Sequence, residues 1–266
     1  MAQPAVPAIS APLSGRTIVV TRPAAQCAAL AAAIEAEGGT ALRFPLLEIS
    51  SLPDCAALEA IAQRLDAFDF ACFVSANAVE HALPVLLRGR AWPAHLQAVT
   101  VGGSSEAALA RHGIGRVIAP RERFDSEALL ALPALAADKL AGRRAVIFRG
   151  DSGRELLGDT LAERGATVEY VACYRRSRPA GDANRLIDLA RAGRLDALLL
   201  TSSEAAGNLI DMLGEAAPHV LARTTLFVPH ARIGERAREL GAPRVVLTAP
   251  ADAGLLAGLL SHFRNR

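Results

Sequence analysis

Two stretches of the sequence decide the fold, FVSANAVEHAL at residues 73–83 and LTSSEAAGNLI at residues 200–210. Each follows an aspartate and a short apolar run, written DFACFVS in one case and DALLLTS in the other. Each places serine where the run ends and then becomes alanine-rich. Ser75 and Ser202 are 127 positions apart (202 − 75 = 127), about half the length of the chain. The sequence therefore contains one structural unit twice.

The repeat extends over alternating strand and helix patterns. RTIVVTRP at 16–23 and RRAVIFRG at 143–150 are apolar runs that each precede a helical stretch. The same order recurs in VTVGGSSEAALARHGIGRVI at 99–118 and LFVPHARIGERARELGAPRVV at 226–246. Strands that alternate with helices predict parallel sheets covered by helices. The predicted fold class is α/β, with two similar doubly wound parallel-sheet domains.

The two domains need not follow one another along the chain. ALRFPLLEIS at 41–50 and VEYVACYRRSRP at 168–179 are extended by pattern. If they pair as antiparallel strands, they form a two-stranded ladder joining two domains, one inserted in the other. A tandem division near residue 142 is the alternative. The inserted arrangement predicts a flexible tail at 1–15, a first domain of 16–43 and 177–266, a ladder of 44–50 and 170–176, and a second domain of 51–169.

Composition narrows the class of protein. The 266 residues are 52% hydrophobic and carry a net charge of +2, typical of a soluble globular protein and too weakly basic for a general nucleic-acid binder. No apolar run reaches the ~18 residues of a membrane span, and the N-terminus lacks a signal-peptide pattern. The four cysteines show no metal-ligand spacing, so we expect buried, inert thiols and a cytoplasmic location. We expect a monomer, because no heptad or distinct apolar face stands out.

Candidate binding residues lie where the strands end, since ligands of open α/β sheets bind beyond the carboxyl ends of the strands. Six loops there are rich in Ser, Thr and Gly with interspersed Arg. Each opens a helix, whose free N–H groups and dipole attract anions. Ser and Thr also cap helices without any ligand, but six such loops favour a ligand with several anionic groups. The candidates are Thr21, Arg22, Ser75, Asn77, Gly102, Ser104, Ser105, Arg149, Gly150, Ser202, Ser203, His230 and Arg232.

The two tyrosines of the chain, Tyr170 and Tyr174, both lie in the second extended connector. Their even separation on a strand places them on one face. A phenol there donates a proton or hydrogen bond at a cleft between two domains, and packing within the ladder is the alternative. Other motifs in the sequence give weaker evidence of function. GDSG at 150–153 resembles a protease nucleophile stretch but opens a helix, no P-loop is present, and the histidines show no metal-binding spacing.

These motifs together resemble the uroporphyrinogen-III synthase family. TIVVTRPAAQCAALAAAIEAEGGTALRFPLLEI is similar to the opening of bacterial members. FVSANAV, VGGSSEAAL, RGDSGRELLGDTLAERGATVEYVACYRR and LLTSSEAAGNLI then follow in the order of that family. The resemblance covers nearly the whole chain after the tail, and the order and spacing of the motifs make it specific.

The resemblance implies a fold, a reaction and residue roles. It implies two α/β domains joined by a two-stranded ladder. The implied reaction closes hydroxymethylbilane, a linear tetrapyrrole with many carboxylates, to uroporphyrinogen III with ring D inverted, without metal or organic cofactor. The ring-A hydroxyl leaves as water, and ring D attacks the azafulvene cation through a spiro intermediate. Tyr174, in the VACYRR motif, would assist the loss of water, and Ser105 matches a hydroxyl position. The alternative function is a hinge-type binding or sensor protein for a polycarboxylate.

Overall fold

Strands and helices alternate along the chain, as the pattern predicts. The computed structural model describes residues 11–153 and 155–264. The strands are β1 (Thr17–Val20), β2 (Thr40–Arg43), β3 (Glu48–Ser51), β4 (Phe70–Phe73), β5 (Gln97–Thr100), β6 (Val117–Ile118), β7 (Arg144–Gly150), β8 (Thr167–Ser177), β9 (Ala197–Leu199), β10 (Thr225–Val228) and β11 (Val245–Leu247). The helices are α1 (Ala28–Ala36), α2 (Ala56–Gln63), α3 (Ala76–Leu86), α4 (Gly103–Arg111), α5 (Ser126–Leu130), α6 (Ala137–Leu140), α7 (Leu156–Glu163), α8 (Asn184–Arg191), α9 (Ser203–Leu213), α10 (Ala217–Arg223), α11 (Ala231–Glu239) and α12 (Ala251–Arg264).

The chain divides into two units, each with its own sheet. The first unit is Met1–Glu48 with Ser177–Arg266, and the second unit is Ile49–Arg176. The first sheet has the order β11-β10-β9-β1-β2 and all its pairings are parallel. The second has the order β3-β8-β7-β4-β5-β6, in which only the β3–β8 pair is antiparallel. The predicted fold class is confirmed.

The position of β7 argues against the tandem alternative. A division near residue 142 would separate β4 from β7, whereas Phe70 of β4 pairs with Ala145 of β7 in one parallel ladder. The domain bounds given above stay a prediction, since independent folding of the units would have to be measured. Within the described ranges, no helix is long and apolar enough to cross a membrane.

Each sheet is buried on both faces, which explains why its strands are continuous apolar runs such as TIVV and FACF. In the first sheet, Val19 and Leu198 face one core cluster, whereas Ile18 and Leu199 face another. The second sheet repeats this arrangement with two core clusters of its own. Helices α1 and α7 follow equivalent strands, and both are followed by a glycine with positive φ, Gly38 at 83° and Gly165 at 90°.

The connecting ladder differs in detail from the prediction. β3 begins at Glu48 rather than near residue 44, because residues 44–46 still follow β1: the N–H of Phe44 donates to the Val20 carbonyl. β8 is eleven residues long and pairs with β7 as well as with β3. The antiparallel pair is therefore the edge of the second sheet, not a separate ribbon.

The predicted tail is wrong for residues 11–15. These residues form a turn, in which the Leu13 N–H donates to the Glu37 carbonyl at 3.0 Å. The Leu13 side chain is fully buried in the core cluster that contains Ile18. Burial of this leucine fixes the segment against the first unit. Residues 1–10 of the predicted tail lie outside the described residues.

Candidate active site

Parallel pairing brings three polar loops to one edge of each sheet. In the second unit, β5, β4 and β7 are neighbours, so the loops that follow them meet at the carboxyl edge. In the first unit the equivalent neighbours are β10, β9 and β1. Each of these loops leads into a helix, so helix N-termini with free N–H groups line the edge.

Ser75 and Ser202 are matching N-caps of α3 and α9. The Ser75 Oγ accepts a hydrogen bond from the Ala78 N–H at 3.1 Å, and the Ser202 Oγ accepts one from the Ala205 N–H at 3.0 Å. Both serines have extended backbone, with φ of −162° and −152°. The alternative interpretation of these serines, as helix caps, is thus correct for both. Capping uses the oxygen as an acceptor and leaves each hydroxyl hydrogen available to a further partner.

Ser75 has such a further partner in Tyr174. The Tyr174 Oη lies 3.1 Å from the Ser75 Oγ, and the Arg176 Nη2 donates to the same phenol oxygen at 3.0 Å. The Tyr174 ring is fully buried, packs 5.7 Å from the His81 ring by centroids, and lies beneath the Arg176 guanidinium. The phenol therefore belongs to a hydrogen-bonded group at the carboxyl edge of the second sheet.

A β-bulge places this tyrosine. Ala172 pairs with Arg149 but Tyr174 pairs with Gly150, so one extra residue of β8 stands against β7. The expectation that Tyr170 and Tyr174 share a face is wrong, because the bulge breaks the alternation between them. Tyr170 is 40% exposed and its Oη donates to the Glu155 carbonyl at 2.9 Å, beside α7. Tyr174 instead faces the core cluster that contains α3.

Gly150 makes room for the Tyr174 ring. A Cβ at residue 150 would lie 3.0 Å from the nearest ring carbon, closer than side chains normally approach. The glycine thus allows the aromatic ring to lie directly on the last residue of β7. Gly150, one of the candidate residues, therefore supports the position of the phenol.

The other candidates of the second unit divide by exposure. Asn77 is half-buried at the start of α3, Gly102 caps α4, Ser104 is exposed and Ser105 is only 2% exposed. Arg149 donates to the Gly153 carbonyl at 2.7 Å and lies over the Tyr170 ring. This guanidinium therefore braces its own loop.

The candidates of the first unit also divide by their contacts. Thr21 is buried and donates to the Leu199 carbonyl, so its hydroxyl serves the sheet. Arg22 forms an ion pair with Asp252 at 2.5 Å. The Ser203 Oγ is buried without a hydrogen-bond partner among the described residues. His230 and Arg232 are exposed at the N-terminus of α11.

Burial controls the titratable groups around Tyr174. Burial lowers the pKa of His81, which favours the neutral imidazole at neutral pH. Burial also raises the pKa of the Cys173 thiol to about 12, so this neighbour stays protonated. The expectation of four buried cysteines is wrong for Cys55, which is half-buried with its thiol 3.4 Å from Glu59. The described residues contain no group of three or more His, Cys, Asp or Glu placed to hold a metal ion.

We call Tyr174 and its neighbours Ser75, His81 and Arg176 the Tyr174 group. Arg176 and His81 were absent from the candidate residues. Arg176 could have been found, because it follows Tyr174 by two residues on a strand and period-two alternation places both on one face. His81 gave no such signal. It comes from α3, and its contact with the ring depends on how α3 packs on the sheet.

The fold defines the class, a protein built from two doubly wound α/β units. A family model for uroporphyrinogen-III synthase HemD matches residues 28–257, and the chain belongs to this family. It is similar to the uroporphyrinogen-III synthase of Salmonella typhimurium, at 34% identity over 89% of this chain and 96% of the relative. The Escherichia coli protein is 32% identical over the same shares. The resemblance seen in the motifs is confirmed.

Solved structures agree on the fold. A mutant uroporphyrinogen III synthase from Thermus thermophilus gives a TM-score of 0.61 at 20% identity, covering 94% of this chain and 99% of that one. The enzyme from Helicobacter pylori gives 0.57 at 16% identity, covering 93% and 99%. As a member of this family, the chain has the family's activity, a hydro-lyase step of tetrapyrrole biosynthesis.

Proposed function

We propose that this chain closes hydroxymethylbilane to uroporphyrinogen III, with inversion of ring D, and that the Tyr174 group assists the loss of water. The observation that carries the proposal is the Tyr174 phenol, held between the Ser75 hydroxyl and the Arg176 guanidinium at the carboxyl edge. Loss of the ring-A hydroxyl needs a proton donor, and a phenol is a competent general acid. The donor in this site is Tyr174.

The remaining demand of the reaction is positioning. The chain of four pyrroles must fold so that its two ends meet, and holding reacting groups in place supplies up to ~7–11 kcal/mol of barrier reduction. Helix N-termini suit the substrate's carboxylates because their N–H groups and dipole favour anions. We assign carboxylate binding to the following residues, which are exposed or half-buried at helix N-termini: Asn77, Ser104, Ser202, His230 and Arg232.

Turnover of synthetic hydroxymethylbilane tests the proposal. The substrate also closes unaided to the non-inverted isomer I, so the isomers must be separated by chromatography and uroporphyrinogen III counted alone. We expect isomer III to dominate with the chain present. Binding of the substrate with only isomer I formed would instead support the hinge-type binding protein.

We further propose a cytoplasmic monomer. Four free cysteines fit a reducing compartment. The large hydrophobic side chains exposed in the described ranges, Phe124, Leu156, Tyr170 and Leu247, are scattered along the sequence. Light scattering on the purified chain should give the mass of one copy, 27.8 kDa, and a mass twice as large would contradict the proposal.

A further inference from the structure

We infer that Tyr174 reaches the substrate through Ser75, in a relay of two hydroxyls, and that Arg176 is the positioning residue of this relay. The inference rests on the proposed function, because it concerns the proton that the ring-A hydroxyl takes as it leaves. It adds two residues to the step that the family resemblance assigns to the tyrosine alone.

Exposure separates the two hydroxyls. Tyr174 is fully buried, whereas Ser75, at the start of α3, is half-buried. The phenol oxygen lies 3.1 Å from the serine oxygen, within hydrogen-bond distance. Of these two residues, Ser75 is therefore the one with surface open to a ligand.

The donors at the two ends set the direction of the hydrogen bonds. Arg176 can only donate, so the Tyr174 oxygen accepts from it, and the Ala78 N–H can only donate, so the Ser75 oxygen accepts. One hydrogen then lies between the two oxygens, and one hydroxyl hydrogen is left to be donated elsewhere. If Ser75 donated to Tyr174, that remaining hydrogen would be the buried phenol's and would lack an acceptor among the described residues, which is unfavourable. Tyr174 therefore donates to Ser75, and the Ser75 hydrogen points outward.

This direction suits the loss of water. The Tyr174 O–H bond breaks as its proton moves to the Ser75 oxygen, and the Ser75 hydrogen moves to the ring-A hydroxyl. The carbon–oxygen bond breaks with its electron pair on oxygen, and water leaves. Tyr174 is left as phenolate, which Arg176 stabilises by a charge-assisted hydrogen bond at 3.0 Å. The proton released when the closed ring regains aromaticity returns by the same path, so the residues end unchanged.

A double-mutant cycle tests the relay. Ser75→Ala and Tyr174→Phe should each lower kcat for uroporphyrinogen III by about 10- to 100-fold. The double mutant should lose no more than the worse single variant, because residues in series fail together. Losses that multiply, or an unchanged kcat in Ser75→Ala, would overturn the relay. If the wild-type chain forms only isomer I, the proposed function itself fails.

Two further Ser75 variants separate the relay from the helix cap. Ser75→Asn keeps a side-chain oxygen that caps α3 about as well as serine, but it has no hydroxyl to pass a proton. Ser75→Thr keeps both the capping oxygen and a hydroxyl that can pass a proton. We expect normal melting temperatures for both variants and a higher kcat in Ser75→Thr than in Ser75→Asn. Full activity in Ser75→Asn would contradict the relay.

Arg176 is tested by the division between kcat and KM. Arg176→Ala should lower kcat by about 10-fold with KM nearly unchanged, and Arg176→Lys should recover part of the loss because an ammonium also donates to the phenol. In a Tyr174→Phe background the Arg176→Ala loss should vanish. A raised KM with unchanged kcat would show that Arg176 binds a substrate carboxylate, and the positioning role would be wrong.

Discussion

The two units have the same amino-terminal edge and different carboxyl edges. At the amino-terminal edge of the second sheet, Asp69 accepts hydrogen bonds from the Arg144 N–H at 2.9 Å and from the Arg143 guanidinium at 2.8 Å. In the first sheet, Asp196 accepts from the Thr17 N–H and the Arg16 guanidinium, both at 2.9 Å. The three positions in each set are equivalent in the repeat. Aspartate thus ties the same two strands together in both units.

The carboxyl edges differ although both carry a serine cap. The Ser75 hydroxyl contacts Tyr174 as well as its own helix, whereas the described side-chain hydrogen bond of Ser202 is to the Ala205 N–H. This difference in side-chain contacts arises from β2, the strand of the first unit that is equivalent to β8. β2 has four residues, while β8 has eleven and a bulge that carries Tyr174 onto Gly150. Both units therefore share the same scaffold, but only the second unit has a phenol, that of Tyr174, beside its serine cap.

The largest effect should come from Tyr174→Phe, which removes the proton donor and retains the ring's packing. We expect uroporphyrinogen III formation to fall about 10- to 100-fold. Tyr170→Phe is the matched control on the opposite face. It loses the bond to the Glu155 carbonyl and should cost about 1 kcal/mol of stability with kcat retained. Equal kcat losses would give the tyrosines a shared packing role.

The aspartate pair should affect stability without affecting chemistry. Asp69→Ala and Asp196→Ala each leave a backbone N–H without its acceptor, which costs about 1–3 kcal/mol. The two losses should be alike because the contacts are alike, and kcat of the folded protein should be retained. Urea unfolding measures the stability. A loss in only one variant would show that the amino-terminal edges are not equivalent.

Acid should destabilise the second unit. The Arg143 guanidinium and Arg144 N–H outweigh the burial of Asp69, which alone raises its pKa, and hold that pKa below its usual value. Hydrogen bonds from Arg111 and Arg64 likewise lower the pKa of Glu80 and Glu169. Carboxyls with lowered pKa stabilise the fold above their unfolded pKa, about 4, and this stability is lost as pH falls through the folded pKa.

All three of these carboxyls lie in the second unit. We therefore expect hydrogen exchange in residues 49–176 to rise as the pH falls below about 4. Asp69→Asn should reduce the pH dependence, because an amide does not titrate. Hydrogen exchange in residues 49–176 that stays constant as the pH falls below about 4 would contradict this assignment.

The smallest of the expected effects is that of salt concentration on KM. Ionic screening weakens contacts between exposed charges, so KM should rise with salt concentration. Arg232 is exposed, whereas Arg22 forms an ion pair with Asp252 and Arg149 donates a hydrogen bond to the Gly153 carbonyl. Arg232→Ala should therefore reduce the salt dependence more than Arg22→Ala does. A KM that is constant from low to high salt would contradict carboxylate binding at these edges.

Local chemistry explains what the sequence predicted correctly. Apolar runs, serines at strand ends and glycines after helices each indicate structure within a few residues, and the 127-residue repeat supplied the second unit. The bulge in β8 was missed because it depends on pairing with β7, more than twenty residues away. The turn at Leu13 was missed for a similar reason, since its burial requires α1 and β1 to be packed first. Contacts set by register and packing gave no local signal.

The most direct test compares Ser75→Ala with Ser202→Ala in kcat, KM and unfolding free energy. It asks whether the catalytic acid lies in only one of the two repeated units. Each variant loses one helix cap, so each should lose about 1 kcal/mol of unfolding free energy. Ser75→Ala should also lower kcat by about 10- to 100-fold, while Ser202→Ala should change mainly KM. Equal kcat losses in the two variants, at equal stability, would contradict an acid confined to the second unit.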